Sequence, residues 1–334
     1  MERNEPLVSV VTPVHNGEKF LAEAIESVLG QTYPNWEYTI VENCSTDRTL
    51  EIAQSYAIKD KRIQILKNEE LLPVIKNFNH TMHQISDLSK YCKVLHADDL
   101  LYPECLALMV EVAEAYPTTG IISSYRLEGD RVLNDGISYN LQFITGREVC
   151  RRSLMEGYFY VFGSPSSLLL RSNIVRLHDP FYTPRFFADV EACYSVLKES
   201  DFGFVHQVLT YSRLHEESWT SSVEGLGMNL LGILNALIRF GSFYLTQDEY
   251  KACLSKRLHD YYRFLGLSVL QYRKSDFWSH QEEYLASMGI SLNKSRIVLS
   301  AAGVFLENIT CLEQYQKIFR RWFKKDMPER DFRL

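Results

Sequence analysis

Two adjacent carboxylates, Asp98 and Asp99, stand in Val94-Leu95-His96-Ala97-Asp98-Asp99-Leu100-Leu101-Tyr102-Pro103, where an apolar strand gives way to a helix. Each acid raises the cost of ionising the other, so the pair does little for stability at a strand tip. A divalent cation between them and a phosphate accounts for both, because hard cations take one or two carboxylates and complete their shell with substrate phosphates. The structural alternative is a helix N-cap followed by a solvated acid. Glu42 closes another strand and can accept hydrogen bonds from a nucleobase imide or ribose hydroxyls. His15 follows a third strand and can stack on a base, with the Pro13 carbonyl beside it. A solvated loop acid and a turn histidine without a ligand are the corresponding plain readings.

The elements that must position these groups alternate. Leu7 to Val14 reads as a buried strand closed by the His15-Asn16-Gly17 turn. From Glu18 to Leu29, Leu21, Ile25 and Val28 recur at helical spacing, with Gly30 as C-cap. Trp36–Glu42 is the next strand, and Asn43-Cys44-Ser45-Thr46-Asp47 leads into a helix over Arg48–Ala57. Ile63–Leu66, Tyr91–Leu95 and Gly120–Ser123 complete a set of short strands with helices between them. This alternation predicts a mostly parallel mixed sheet covered on both faces. Ligands of such sheets lie beyond the carboxyl ends of the strands, so His15, Glu42 and Asp98 should converge on one edge. Later come strands over Ser166–Arg171 and Phe204–Arg213 and a helix over Asp189–Leu197. After about Glu224 helical periodicity takes over, which places the division at 1–224 and 225–334.

Composition narrows the class. The chain has 334 residues, 46% hydrophobic and 23% charged, as expected of a globular protein. A net charge of −6 argues against a nucleic-acid partner. Seven cysteines without C-x-x-C spacing read as reduced thiols rather than a zinc site or disulfide framework. The polar start shows no secretory signal, and the apolar runs fall short of a membrane span. The expected location is therefore cytoplasmic.

Ser9-Val10-Val11-Thr12-Pro13-Val14-His15-Asn16, then Gln31-Thr32-Tyr33-Pro34 and Glu42-Asn43-Cys44-Ser45-Thr46-Asp47, resembles the opening of the family 2 glycosyltransferases, inverting enzymes of the GT-A fold. His96-Ala97-Asp98-Asp99 is similar to their metal motif, and Phe187-Ala188-Asp189-Val190-Glu191 to the segment carrying their catalytic base. Tyr211-Ser212-Arg213-Leu214-His215-Glu216-Glu217-Ser218 resembles their closing element. The five motifs stand in order over roughly residues 6–220.

The resemblance implies an α/β GT-A fold with an α-helical C-terminal region, and roles for named residues. Pro13, His15, Glu42, Asp47, Lys76 and Asp98 would bind the nucleotide, with Asp98 toward ribose. The family usually has Asp at the position of Glu42. Asp47 also reads as a helix-start acid, and Lys76 as a solvated helix lysine. Asp99 would ligate Mn²⁺ or Mg²⁺, and His215 would complete the metal shell or contact the diphosphate. His96 stands where Asp is more frequent; imidazole suits Mn²⁺ better than Mg²⁺, yet strand alternation points it away from its acidic neighbour. Asp189 would be the general base, with Glu191 as the alternative, since residues two apart on a helix diverge. Ser164–Ser167 would line the sugar or acceptor side.

The implied activity is non-processive transfer of one sugar from a nucleotide-diphosphate donor, UDP-linked in most of the family, to a glycan or lipid-linked acceptor in surface polysaccharide synthesis. A sugar nucleotidyltransferase would need a Gly-rich phosphate loop that His15-Asn16-Gly17-Glu18 does not supply. A non-catalytic nucleotide-sugar-binding scaffold of the same fold is the non-enzyme alternative. Near the C-terminus, Leu312, Tyr315, Ile318 and Trp322 form a helical stripe flanked by lysines and arginines. It reads as a face packed on the domain or on a second copy in a homo-oligomer, or as a peripheral anchor at the inner membrane face.

Overall fold

The computed structural model describes residues 5–157, 161–215 and 225–307. The strands are β1 (Val8–Val14), β2 (Trp36–Glu42), β3 (Ile63–Lys67), β4 (Tyr91–Val94), β5 (Leu100–Leu101), β6 (Thr119–Glu128), β7 (Arg131–Leu133), β8 (Phe143–Ile144), β9 (Leu169–Arg171) and β10 (Asp201–Ser212). They form one mixed sheet in the order β3-β2-β1-β4-β9-β6-β10-β5, with β7 on β6 and β8 on β10. The long pairings β3-β2-β1-β4 and β6-β10 are parallel, whereas β9 runs antiparallel between β4 and β6. Every residue of β1 is buried, as a central strand covered on both faces requires.

The helices are α1 (Leu21–Leu29), α2 (Thr49–Ala57), α3 (Val74–Met82), α4 (Cys105–Ala115), α5 (Gly146–Glu156), α6 (Ser172–Leu177), α7 (Ala188–Val196), α8 (Met228–Tyr244), α9 (Gln247–Leu270) and α10 (Ser275–Ser287). In α1, Leu21, Ala24, Ile25 and Val28 are buried, the apolar stripe that the sequence predicts. Several predicted strands change extent: Gly120–Ser123 lengthens to Thr119–Glu128, Phe204–Arg213 becomes Asp201–Ser212, and others shorten. Pro165–Ser167 is a 3-10 turn, because proline opens it and the backbone must swing before β9. The strand before the acid pair ends at Val94, and the peptide N–H of Asp99 turns back to the His96 carbonyl at 3.2 Å.

Register brings the carboxyl ends together. Val14 of β1 lies opposite Glu42 of β2, and Val11 opposite Val94 of β4. Beyond β4, Leu100 and Leu101 pair antiparallel with Tyr211 and Thr210, so the end of β10 returns over the acid turn.

The chain separates into two compact units: Met1–Ser222 with Asn235–Tyr250, and Val223–Leu234 with Lys251–Leu334. The division read from sequence at 224/225 adjoins a segment outside the described residues, and Asn235–Tyr250 packs with the sheet. There Phe240 stacks on Tyr194 with ring centroids 5.1 Å apart, and the Tyr244 hydroxyl donates to the Tyr194 carbonyl at 2.5 Å. In the second unit the Tyr261 hydroxyl donates to Gln281 at 2.8 Å, and Gln281 donates to the Leu226 carbonyl at 3.0 Å. The Leu312–Trp322 stripe lies outside the described residues. Among those described, no helix is long and apolar enough to cross a membrane.

Lys93, in the middle of β4, is fully buried with its Nζ 3.5 Å from the Met109 sulfur. Burial pushes its ammonium below the usual lysine range. Below that lowered value the fold carries a desolvated charge, and the penalty fades as pH rises toward the ordinary lysine value near ~10.4. Lys93→Met should therefore raise the melting temperature at neutral pH, with the gain shrinking in melts run at increasing alkaline pH.

Candidate functional site

The site is built from three loops at the carboxyl edge of the sheet. After β1 and β2, the segments Asn16–Glu18 and Ser45–Thr49 hold each other. Asn16 N–H donates to Ser45 Oγ at 2.9 Å, Gly17 N–H to Thr49 Oγ1 at 2.7 Å and Glu18 N–H to Asp47 Oδ2 at 3.0 Å. In return Thr46 N–H donates to Asn16 Oδ1 at 2.8 Å and Arg48 N–H to Glu18 Oε2 at 2.9 Å. Gly17 is required here, since a Cβ would come within 2.6 Å of Val14 Cγ2.

Within this pair, His15 is exposed with Nδ1 2.8 Å from the Asn43 carbonyl, so Nδ1 carries the proton. Glu42 is buried, and its Oε1 accepts from Ser45 N–H at 2.5 Å. Burial pushes the Asp47 carboxyl up, but donation from Thr49 and Glu18 outweighs it and holds the group below the usual range. Asp47 is thus a structural bracket, the helix-start role that its sequence position also allows. Pro13 is buried within β1, opposite Val41. Lys76 is exposed on α3, next to Asn77, whose Oδ1 accepts from Asn68 at 2.9 Å.

The third loop carries the acids. His96, Asp98 and Asp99 each place a ligand atom within 4.8 Å of the others, a constellation that can hold a metal ion. Asp99 is 4% exposed. Burial pushes its carboxyl above the usual range and Asp98 adds to this, while His96, a hydrogen bond from Ser166 and the Arg213 N–H pull it back. His96 Nε2 is buried and has no hydrogen-bond partner among the described residues. His96 Nδ1, which faces the two crowded carboxylates, makes with them a donor set that fits a divalent cation, and the cation would relieve their repulsion.

The turn at Asp99 explains why strand alternation misplaces His96: it folds Nδ1 to 3.7 Å from Asp99 Oδ2, on the same side. His215, expected among the metal ligands, sets its Nε2 3.0 Å from Asp98 Oδ2. Arg213, to which sequence reading gave no role, spans the turn. Its N–H donates to Asp99 Oδ1 at 3.2 Å, its Nε to the Asp98 carbonyl at 3.2 Å, and its NH2 to Glu23 on α1 at 2.7 Å. The guanidinium lies 4.4 Å over the Phe20 ring, which also packs against His215 at 5.1 Å. Ser166 Oγ accepts from His96 N–H at 3.0 Å, so one serine of the Ser164–Ser167 segment acquires a definite task.

Asp189 sits in the first turn of α7 at the wall of an apolar recess formed with Gly163, Pro165, Phe181, Tyr182 and Cys193. Burial raises its carboxyl above the usual range, and the helix N–H groups and the fields of His96 and Arg126 oppose that rise. Phe78 bridges the two sides edge-on, 5.4 Å from His96 and 5.8 Å from Tyr182. Glu191 faces elsewhere. Both its oxygens are engaged, by Thr183 at 2.8 Å and Asn235 at 2.9 Å among others, so it is not placed like Asp189.

A mixed, mostly parallel sheet whose carboxyl edge carries an interlocked loop pair, an acid turn and a recessed carboxylate has the GT-A nucleotide-sugar transferase architecture. The model of the domain "Glycosyl transferase family 2" matches residues 9–174. EpsE of Bacillus subtilis is 30% identical over 226 residues, covering 62% of this chain and 78% of EpsE. The chain belongs to glycosyl transferase family 2. Other curated relatives are matched over as little as 17% of their own length. S. aureus TarS, solved with UDP-GlcNAc, superposes with a TM-score of 0.60 at 16% identity, over 85% of this chain and 80% of TarS. The mannosyltransferase PcManGT of Pyrobaculum calidifontis, solved with GDP-Man and Mn²⁺, gives 0.55 at 15% identity, over 91% and 81%. These two likenesses carry the fold.

A raised carboxyl destabilises the fold above its shifted value, and the penalty disappears as pH falls toward the ordinary aspartate value near ~3.9. Asp99→Asn should therefore raise the melting temperature of the metal-free protein at neutral pH. The gain should diminish in melts at progressively lower pH.

Proposed function

We propose that the protein is a metal-dependent, inverting, non-processive glycosyltransferase. It moves one sugar from a nucleotide-diphosphate donor, UDP-linked, to a hydroxyl of a glycan or lipid-linked acceptor in surface polysaccharide assembly. The observation that carries this reading is the His96–Asp98–Asp99 cluster facing, across Phe78, a recess that holds a carboxylate with a raised pKa. Support for the donor class comes from TarS with UDP-GlcNAc and PcManGT with GDP-Man and Mn²⁺.

His15, on the fixed loop after β1, and Glu42, the last residue of β2, would meet the base and ribose. His96, Asp98 and Asp99 would hold Mn²⁺ or Mg²⁺, with His215 on Asp98 completing that side of the pocket. When bound, the cation supplies Lewis-acid neutralisation of the charge developing on the departing nucleoside diphosphate. Asp189 takes the proton from the acceptor hydroxyl as its oxygen attacks the anomeric carbon from the face opposite the leaving group, which inverts configuration. Its raised pKa makes it a stronger base than a solvated carboxylate.

The test is a panel of UDP- and GDP-sugars with Mn²⁺, read by donor hydrolysis and by thermal shift. At least one donor should give metal-dependent turnover, and none doing so sinks the proposal. Asp99→Ala should abolish metal-dependent nucleotide binding in calorimetry. Asp189→Asn should keep that binding and lower turnover by about 10²–10⁴-fold. In wild type, kcat should fall on the acid side with a midpoint above the ordinary carboxylate value. A midpoint at or below that value would remove Asp189 from the role.

A further inference from the structure

Glu191 is 4% exposed and lies two residues from Asp189 on α7. Its Oε2 accepts from the Thr183 hydroxyl at 2.8 Å and from Arg185 NH1 at 3.4 Å. Its Oε1 accepts from Asn235 Nδ2 at 2.9 Å and pairs with Arg239 Nε at 2.8 Å. Arg239 Nε also donates to Asn235 Oδ1 at 3.0 Å, closing the net on that side. One carboxylate thus joins three pieces of chain: the segment before α7, α7 itself and α8.

We infer that Glu191 is a positioning residue for the base, setting the roll of α7 about its own axis and with it the place of the Asp189 carboxylate. The inference rests on Asp189 being the base. Residues two apart on a helix diverge by roughly 200°, so Glu191 grips protein while Asp189 faces the recess. A side chain ends ~5–6 Å from the helix axis, so about 10° of roll carries a carboxylate ~1 Å. A misplacement of that size can cost about 10²-fold in rate. Donors on both oxygens of Glu191, from segments on either side of α7, oppose roll in both directions. Arg185 and Arg239 bring two positive charges to one carboxylate, so loss of its charge would leave them facing each other uncompensated. The same residue cannot also serve as base without breaking the bonds that orient the helix.

The experiment compares wild type with Glu191→Gln, Thr183→Val and Asp189→Asn, using the donor that wild type turns over in the panel, with water as acceptor, and UDP or GDP binding by calorimetry. Glu191→Gln should lower kcat about 10–100-fold while donor KM and nucleotide Kd stay within about two-fold. Thr183→Val, which removes one hydrogen bond and little volume, should lower kcat several-fold in the same pattern and serves if Glu191→Gln does not fold. Wild-type kcat per folded molecule in Thr183→Val and in any folded Glu191→Gln overturns the inference, as does a parallel loss of nucleotide affinity. Asp189→Asn separates the two readings. If it retains full turnover, the base assignment fails and this inference with it. If it is inactive while Glu191→Gln runs at the wild-type rate, only the positioning role fails.

Discussion

The peptide N–H of Arg213 on the Asp99 carboxylate is the contact on which the acid turn depends. Asp99 is buried next to another carboxylate, an arrangement that neither hydrophobic packing nor a helix cap would produce. It persists because β10 pairs back on β5 and delivers Arg213 across the turn, with a backbone donor for one acid and a guanidinium donor for the carbonyl of the other. The guanidinium is in turn held by Glu23 and laid over Phe20, so the first helix of the chain and its last strand meet at the same two residues. A metal motif that looks local in sequence is therefore held by partners more than 100 positions away.

That distance explains what the sequence could and could not disclose. The strands β1, β2 and β4 and helices α1 and α2 follow from local apolar periodicity, and their parallel register then dictates that His15, Glu42 and Asp98 share an edge. The acid pair's place at a strand tip was legible in the residues themselves, whereas the helix of Asp189 was tied to it by the family resemblance. His96 was obscured because its orientation depends on where β4 stops: alternation holds to Val94, and the tight turn at Asp99 reverses it. The tasks of Arg213 and Ser166 could not be read locally, since their partners, Asp98, Asp99, Glu23 and the His96 N–H, lie 70 or more positions away. Asp47 was ambiguous for the opposite reason, because a helix-start acid and a pocket acid look alike until its partners, Thr49 and Glu18, are seen.

The two acids of α7 show how one short helix separates chemical tasks by direction. Asp189 meets an apolar wall and a few opposing fields, which leaves its carboxyl above the usual range. Glu191 meets two guanidiniums, an amide and a hydroxyl. A destabilised group and a saturated one sit less than one turn apart, and the helix keeps their environments from mixing. The fold thus holds destabilised charge at Asp99 and Asp189, as it does at Lys93, and a fully partnered one at Glu191.

The interlocked loops after β1 and β2 have a further implication, for how this edge can change. Each supplies both donors and acceptors to the other, backbone to side chain in both directions. Neither loop can gain or lose a residue without breaking the other's bonds. Variation in what the pocket admits is thereby steered to side chains at its rim, such as His15.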